Sequence, residues 1–211
     1  MKNKATLVEP GNPYYPASLF AGDNESLFVH LWALGNLEIL KERLLGLFCS
    51  ARCPGDVIVK TYDAVRTLRD AGVHVVSGFH SPMEQECLNL LLRGKQPIVI
   101  CPARSIVGMR VPASWKRPLA DDRLLVLSPF EQKHRHITVA LAEKRNQFVA
   151  ALASMIFVPY AAPGSKIERL AVELLGQGRK VITLGFSQDG RLAAAGAISA
   201  SAGFLADAIH R

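Results

Sequence analysis

Three segments of the chain place a serine three residues before a glutamate, each directly after an apolar run: Ser81–Glu84, Ser128–Glu131 and Ser165–Glu168. At the start of a helix this spacing lets the serine hydroxyl accept a hydrogen bond from the third backbone N–H, while the glutamate accepts from the N–H of the serine. Pro82 and Pro129 stand at the first helical position, where proline costs no hydrogen bond. The spacing predicts three helix N-termini.

Helix N-termini carry unpaired N–H groups and a partial positive charge, so several of them at one edge would bind an anion. Gly78 and Gly164, which precede two of the serines, would let a phosphate approach the backbone closely. A fourth turn, Cys49–Gly55, adds the hydroxyl of Ser50 and the guanidinium of Arg52. Any single turn is explained as well by helix capping alone, whereas three of them beside a basic segment favour phosphate binding.

A polar triplet, Lys144-Arg145-Asn146, interrupts an apolar helical pattern. Adjacent helical residues point about 100° apart, so at least one of Arg145 and Asn146 is expected to face the cleft at the strand ends. The candidate phosphate- or nucleic-acid-binding residues are therefore Ser50, Arg52, Ser77, Gly78, Phe79, His80, Ser81, Glu84, Arg104, Arg145, Asn146, Gly164, Ser165 and Lys166.

Other catalytic and cofactor chemistries lack their motifs. Neither GxGxxG nor GxxxxGK[ST] occurs, which argues against dehydrogenase-type and P-loop nucleotide sites, and the GxSxG elbow is missing. Cys49 and Cys53 make a poor zinc pair, and His134 and His136 lie far along the chain. We expect reduced structural thiols, no metal, no cofactor and no catalytic residue.

The net charge of +7 is unevenly distributed. From Arg93 to Arg117 there are six basic residues and no Asp or Glu. A field of one sign indicates a phosphate or polyanion partner, although a solvated basic face would have the same composition.

Short apolar runs alternate with amphipathic helical patterns over most of the chain. The helical patterns cover about 54–71, 82–93, 132–152 and 165–178, with a short helix near 113–119, and the strand patterns cover 28–34, 44–50, 73–78, 96–102, 123–129, 154–160 and 180–185. Continuous apolar strands and βαβ alternation predict a Rossmann-like three-layer α/β fold, with a mainly parallel sheet flanked by helices on both faces. We divide the chain into an extended lead-in (1–27), the Rossmann-like domain (28–185) and a C-terminal extension (186–211).

Composition places the chain among globular proteins, with 49% hydrophobic and 20% charged residues. No apolar run approaches the roughly 18 residues of a membrane span, and the N-terminal segment has no apolar signal region. A cytoplasmic location without membrane contact is expected.

In these motifs the sequence resembles the DNA-processing DprA/Smf family, which is related to the LOG phosphoribohydrolases, over roughly residues 13 to 184. Ser50-Ala51-Arg52 is similar to the family's S-x-R turn, Val76-Ser77-Gly78 to its strand ending in SGLA, and Gly164-Ser165-Lys166-Ile167 to its SGSLIT turn. Arg145-Asn146 is similar to its R-N-R element, with Gln147 in place of the second arginine. Glu84 stands where the family has an Asp, and Pro82 replaces the glycine before it.

The resemblance implies binding of single-stranded DNA and loading of a recombinase during DNA uptake, so the leading hypothesis is a non-enzymatic nucleic-acid binder. One alternative is a LOG-like enzyme that cleaves nucleoside monophosphates, but Ala171 stands where its catalytic glutamate would be. Another is a module that binds a mononucleotide without turnover. A homodimer is a further assembly that the sequence leaves open.

Overall fold

Residues 4–21, 25–26, 28–184 and 190–210 are described by the computed structural model. The strands, numbered in chain order, are β1 (Thr6–Val8), β2 (Phe20–Ala21), β3 (Glu25–Ser26), β4 (Leu31–Gly35), β5 (Leu45–Leu47), β6 (Val75–Ser77), β7 (Ile98–Ile100), β8 (Leu124–Ser128), β9 (Met155–Phe157), β10 (Val181–Thr183) and β11 (Ile198–Ser199). The α-helices are α1 (Gly55–Asp70), α2 (Pro82–Leu91), α3 (Ala113–Ala120), α4 (Val139–Leu152), α5 (Lys166–Gly176), α6 (Gly190–Ala194) and α7 (Ala202–His210). Two short 3-10 helices cover Ala17–Leu19 and Leu37–Lys41.

Nine of these strands form one sheet in the order β1-β4-β8-β7-β6-β5-β9-β10-β11. The pairs from β8 across to β11 are parallel, while β1 and β4 join the sheet antiparallel at one side. The mainly parallel sheet predicted from the apolar runs is confirmed.

The sheet buries both of its faces, as the continuous apolar strands require. In β8, Leu125 and Leu127 belong to the core under α4 and α5, whereas Leu124 and Val126 belong to the core under α1, α2 and α7. Alternate residues of one strand thus enter two separate cores, which makes the three layers of the predicted Rossmann-like fold.

The chain order of the strands fixes where a ligand cleft opens. The chain builds β5 to β8 outward in one direction, then returns to place β9 on the other side of β5. In such open sheets the helices leave in opposite directions at this switch point, so a crevice forms at the carboxyl ends of the two strands. The segments that follow β5 and β9, with Ser50 and Ser165, therefore meet there.

One predicted helix start is wrong. The segment 132–152 was expected to be helical throughout, starting from the Ser128–Glu131 motif, but α4 begins only at Val139, where the Thr138 side chain accepts from Leu141 N. Ser128 is the buried last residue of β8, and its Oγ donates 2.8 Å to Arg104 O and accepts from Phe130 N. The hydroxyl is thus bonded to Arg104 O, 24 residues away, and to Phe130 N, two residues on, in place of a helix N–H three residues on.

Near the two ends of the described chain, β1 and β11 belong to the sheet, while α6 packs against α5 and α7 packs against α1. The predicted short helix near 113–119 corresponds to α3. The domain boundaries predicted after residues 27 and 185 fall on residues outside the described ranges.

Candidate functional site

A cavity of about 450 Å³ opens at the switch point, at the carboxyl ends of β5, β6 and β9. Nine of the residues predicted from the sequence line it: Ser50, Arg52, His80, Ser81, Glu84, Arg145, Asn146, Ser165 and Lys166. The prediction that Arg145 or Asn146 faces the cleft is confirmed for both. Three loops and the middle of α4 therefore contribute to one hollow.

Two serines join the loops on either side of the switch point. Ser50 Oγ donates to Ser165 Oγ across 3.2 Å and accepts from Ala162 N at 2.9 Å. Ser165 Oγ in turn accepts from Glu168 N at 3.1 Å and so caps α5. These contacts hold two turns that are 115 residues apart in sequence against each other.

Glu84 anchors the third loop. Its Oε1 accepts from Cys49 N at 3.1 Å, and its Oε2 accepts from His80 N at 2.8 Å and from Ser81 N at 3.3 Å. Ser81 Oγ completes the capping box of α2 by accepting from Glu84 N. The buried carboxylate thus fixes the end of β5 to the start of α2, and its lone pairs are used by backbone N–H groups.

Arg145 supplies a buried positive charge at the floor of the cavity. Its side chain is only 4% exposed; Nε donates to Asn146 Oδ1 at 2.8 Å, and Nη1 donates to Cys101 O at 3.4 Å. Desolvation lowers the pKa of this guanidinium, and the charge of Glu84 opposes that shift. Within the described ranges Arg145 forms no ion pair with a carboxylate.

Gly78 makes room for this guanidinium. A Cβ built on residue 78 would lie 1.1 Å from Nη1 of Arg145 and 1.9 Å from Cζ. We expected Gly78 to let a phosphate approach the backbone. Instead, the side chain of Arg145 occupies the space over the Cα of Gly78, and this contact is the reason for a glycine at this position.

Two exposed cations stand at the rim. Arg52 lies in the turn between β5 and α1 and makes no ion pair in the described part of the chain. Lys166, the first residue of α5, pairs with Glu143 at 2.8 Å. Arg145 lies below them, and Glu84, the one acid among the described lining residues, already accepts from three backbone N–H groups.

Four of the remaining predicted residues lie behind or beside the cavity. Ser77 is fully buried, with Oγ donating to Leu47 O at 2.7 Å and accepting from Phe79 N at 3.2 Å. Phe79 is 5% exposed and packs in the core, so it offers no surface for base stacking. Gly164 has φ +71°, a conformation that favours glycine, and it donates its N–H to Glu168 Oε2 at 2.8 Å. Together with Gly78, these residues shape the loops rather than line the hollow.

Arg104 belongs to a second depression of about 410 Å³ on the same edge of the sheet, at the ends of β7 and β8. Arg110 and Arg135 line it as well, and all three side chains are exposed.

Sequence reasoning missed Arg135, because a helix was wrongly predicted from residue 132, where a loop carries Arg135 to this depression. The other lining residues that it missed at the cavity are Cys49, Ala51, Ala142, Ala162 and Ile167, and no local signal marks these small or apolar positions.

The basic segment 93–117 does not form one surface. Arg93 and Lys95 precede β7 and lie at the amino edge of the sheet, whereas Arg104 and Arg110 follow β7 at the carboxyl edge. Arg117, in α3, pairs with Asp121 at 3.6 Å. Because β7 carries the chain across the sheet, Arg104 and Arg110 lie on the same edge as the cavity, where they line the second depression and not the cavity itself.

The profile of DNA recombination-mediator protein A matches residues 6–202. The chain belongs to this family. Comparison with the curated proteins found no match. The predicted relation to the DprA/Smf family is thereby confirmed.

Solved structures share the fold. DNA processing protein A from Streptococcus pneumoniae superposes with a TM-score of 0.79 at 20% identity, over 97% of this chain and 74% of that chain. The Helicobacter pylori protein, whose structure addresses a single-stranded DNA binding mode, gives 0.78 at 16% identity, over 99% of this chain and 97% of that one. The molybdenum cofactor carrier protein of Chlamydomonas reinhardtii gives 0.54 at 11% identity, over 80% of this chain and 97% of that one. These likenesses show the Rossmann-like fold.

Three further observations concern metal binding, membrane insertion and the LOG-like enzyme. In the part of the chain that the structure describes, no three or more His, Cys, Asp or Glu side chains are grouped to hold a metal ion. Among the same residues, no helix is long and apolar enough to cross a membrane. Ala171, which stands at the position of the LOG glutamate, is 1% exposed and packs in the core under α5.

Proposed function

We propose that this protein binds single-stranded DNA by its phosphates, with one phosphate held in the cavity between β5 and β9. The observation that carries the proposal is Arg145, a buried guanidinium that lines the cavity and has no carboxylate partner among the described residues. A buried cation without a partner is costly, and a bound phosphate would supply the missing charge. The membership of a family of recombination mediators supports DNA as the source of that phosphate.

The second depression extends the proposed path. Arg104, Arg110 and Arg135 lie two to three strand spacings from the cavity along one edge, on the order of 10–15 Å. A polynucleotide, unlike a mononucleotide, could place phosphates in both depressions at once. Along this path the protein would contact the phosphates of the strand and not its base edges, as in sequence-independent binding of single strands.

The test is fluorescence anisotropy of labelled oligothymidylate at several salt concentrations. The Arg52→Ala variant should bind more weakly and lower the slope of log affinity against log salt by about 0.7, the share of one phosphate contact. Arg93→Ala is the matched control, since it removes the same charge from the amino edge, and it should leave both the affinity and the slope unchanged. Equal losses in the two variants would contradict the proposed site.

Mononucleotides in the same assay separate the two classes of ligand. Competition by AMP as strong as that by an oligonucleotide of equal phosphate concentration would favour the nucleotide-binding module over the DNA binder. Release of ribose 5-phosphate from AMP would favour the LOG-like enzyme, for which the buried Ala171 offers no carboxylate.

We also propose a recombinase as a partner of the DNA-bound chain and a homodimer as its assembly, acting in the cytoplasm. The family's role as recombination mediator supports the first. The exposed apolar side chains of Ile198 in β11, the last strand of the sheet order, and of Phe204 in α7 support the second. All four cysteines are free, which fits a reducing compartment. Sedimentation of the Phe204→Lys variant against wild type tests the dimer.

A further inference from the structure

Two thiols frame the turn that carries Ser50 and Arg52. Cys49 follows the end of β5 and lines the cavity, and Cys53 stands two residues before α1. Their Sγ atoms are 3.5 Å apart, and one thiol donates to the other. A disulfide has its sulfurs about 2.05 Å apart, so a closure of about 1.5 Å would join them.

The two thiols differ in burial and in pKa, as an attacking thiol and a resolving thiol do. Cys53 is half-buried at the start of the 16-residue helix α1, and the hydrogen bond from Cys49 lowers its pKa. Cys49 is 1% exposed, and its hydrogen bond with Cys53 and its burial raise its pKa. Thiolates near a helix N-terminus are the reactive ones, and a second thiol forms the protein disulfide by attacking the mixed disulfide made on the first.

We propose that Cys49 and Cys53 form a reversible disulfide that closes the Ser50–Arg52 turn and weakens phosphate binding in the adjacent cavity. In the first step the Cys53 thiolate attacks a low-molecular-weight disulfide such as oxidised glutathione; its S–S bond breaks and one glutathione thiolate leaves. The Cys49 thiol then gives its proton to the released glutathione thiolate and attacks the Cys53 sulfur. The S–S bond between Cys53 and glutathione breaks, and the second glutathione leaves as a thiolate that takes up the proton Cys53 had released to solvent. Two protein thiols are oxidised and one disulfide is reduced to two thiols.

The effect on binding follows from the contacts of the turn. Cys53 Sγ donates to Ser50 O at 3.3 Å, and this bond is lost when the sulfur joins Cys49. Ser50 Oγ holds the two loops of the switch point together through Ala162 N and Ser165 Oγ. Drawing Cys53 toward Cys49 would displace Ser50 from those partners and move Arg52 off the rim.

The chemical test treats the full chain with oxidised glutathione and measures intact mass and alkylation of the denatured product. Wild type should lose two hydrogen atoms and leave two of the four cysteines alkylatable, with the bond mapped to Cys49 and Cys53. Cys49→Ser should keep one glutathione on Cys53, and Cys53→Ser should gain no adduct. Cys87→Ala, which alters another buried thiol, should form the disulfide as wild type does. An unchanged mass in the wild type would overturn the proposal.

The expected effect of the disulfide on DNA binding rests on the proposed function, and it is measured in a separate binding assay. Oxidised wild type should bind oligothymidylate about tenfold more weakly than reduced protein, and dithiothreitol should restore the affinity. Cys53→Ser should bind equally with and without glutathione. A mapped disulfide with unchanged affinity would overturn the switch. If the reduced protein binds no oligonucleotide, the proposed function fails, while the mass measurement still decides the disulfide.

Discussion

The guanidinium of Arg145 lies directly over the Cα of Gly78, at the point where any other residue would carry a side chain. The two residues come from α4 and from the end of β6, 67 positions apart in sequence. The glycine is required by a protein group and not by a ligand. The cavity therefore has its charge built into the core of the protein.

Replacing Gly78 by alanine should reduce both stability and DNA binding. The new methyl group overlaps Nη1 and forces Arg145 to move, so we expect the free energy of unfolding to fall by about 1–3 kcal/mol, as for overpacked cores. Denaturant unfolding and oligonucleotide anisotropy measure the two effects. Gly176→Ala, at the end of α5 with open space around its Cα, should change stability by less than about 1 kcal/mol.

A double-variant cycle tests whether the clash is the cause. Because Arg145→Ala removes the group that the methyl meets, adding Gly78→Ala to it should cost much less than it does in the wild type. If the double variant loses as much stability as the two single variants together, Gly78 is required for another reason.

Arg145→Met should separate binding from stability. Desolvation is the main cause of the lowered pKa of Arg145, so removing the buried charge should leave the free energy of unfolding within about 1 kcal/mol of wild type or above it. DNA binding should fall by at least about tenfold. Arg179→Met is the control for binding: its guanidinium donates to Ala150 O and Ala153 O away from the cavity, so that variant should keep the affinity of the wild type.

Glu84→Gln should destabilise the site. The carboxylate accepts three backbone N–H groups, and an amide offers one oxygen and an NH₂ group that cannot accept. We expect the free energy of unfolding to fall by about 1.5–3 kcal/mol, measured by urea denaturation. Glu86→Gln, on the exposed face of α2, should have no comparable effect.

Arg104→Ala should weaken the binding of long oligonucleotides and leave the binding of a dinucleotide unchanged. The reason is that Arg104 lines only the second depression, which a short ligand in the cavity does not reach. Titrations with oligothymidylates of increasing length measure the effect, and Lys95→Ala, at the amino edge, serves as the control. Equal losses for short and long ligands would contradict an extended path.

Cys53 should be the first cysteine to react with iodoacetamide at neutral pH. Its lowered pKa raises the thiolate fraction, whereas burial raises the pKa of Cys87 and of Cys101, the latter to about 12. Cys49→Ala removes the hydrogen bond that lowers the pKa of Cys53, so labelling at a given pH should slow. Peptide mapping after timed alkylation measures both rates.

Features that depend on neighbours in the chain can be predicted from the amino-acid sequence. The Ser81–Glu84 box and the Ser165 cap join residues three positions apart, and the continuous apolar runs require a sheet covered on both faces. The same local rule failed at Ser128, whose hydroxyl is bound by Arg104 O, 24 residues away.

Which of these groups share a site depends on the order of the strands and could not be predicted from the sequence. The Ser50–Ser165 contact, the three N–H groups on Glu84 and the position of Arg145 over Gly78 all depend on the return of the chain across β5, which no short pattern encodes. The split of the basic segment between two edges has the same origin, since a strand carries the chain from one edge of the sheet to the other. Local hydrogen bonding therefore fixes the turns, and the strand order brings them together.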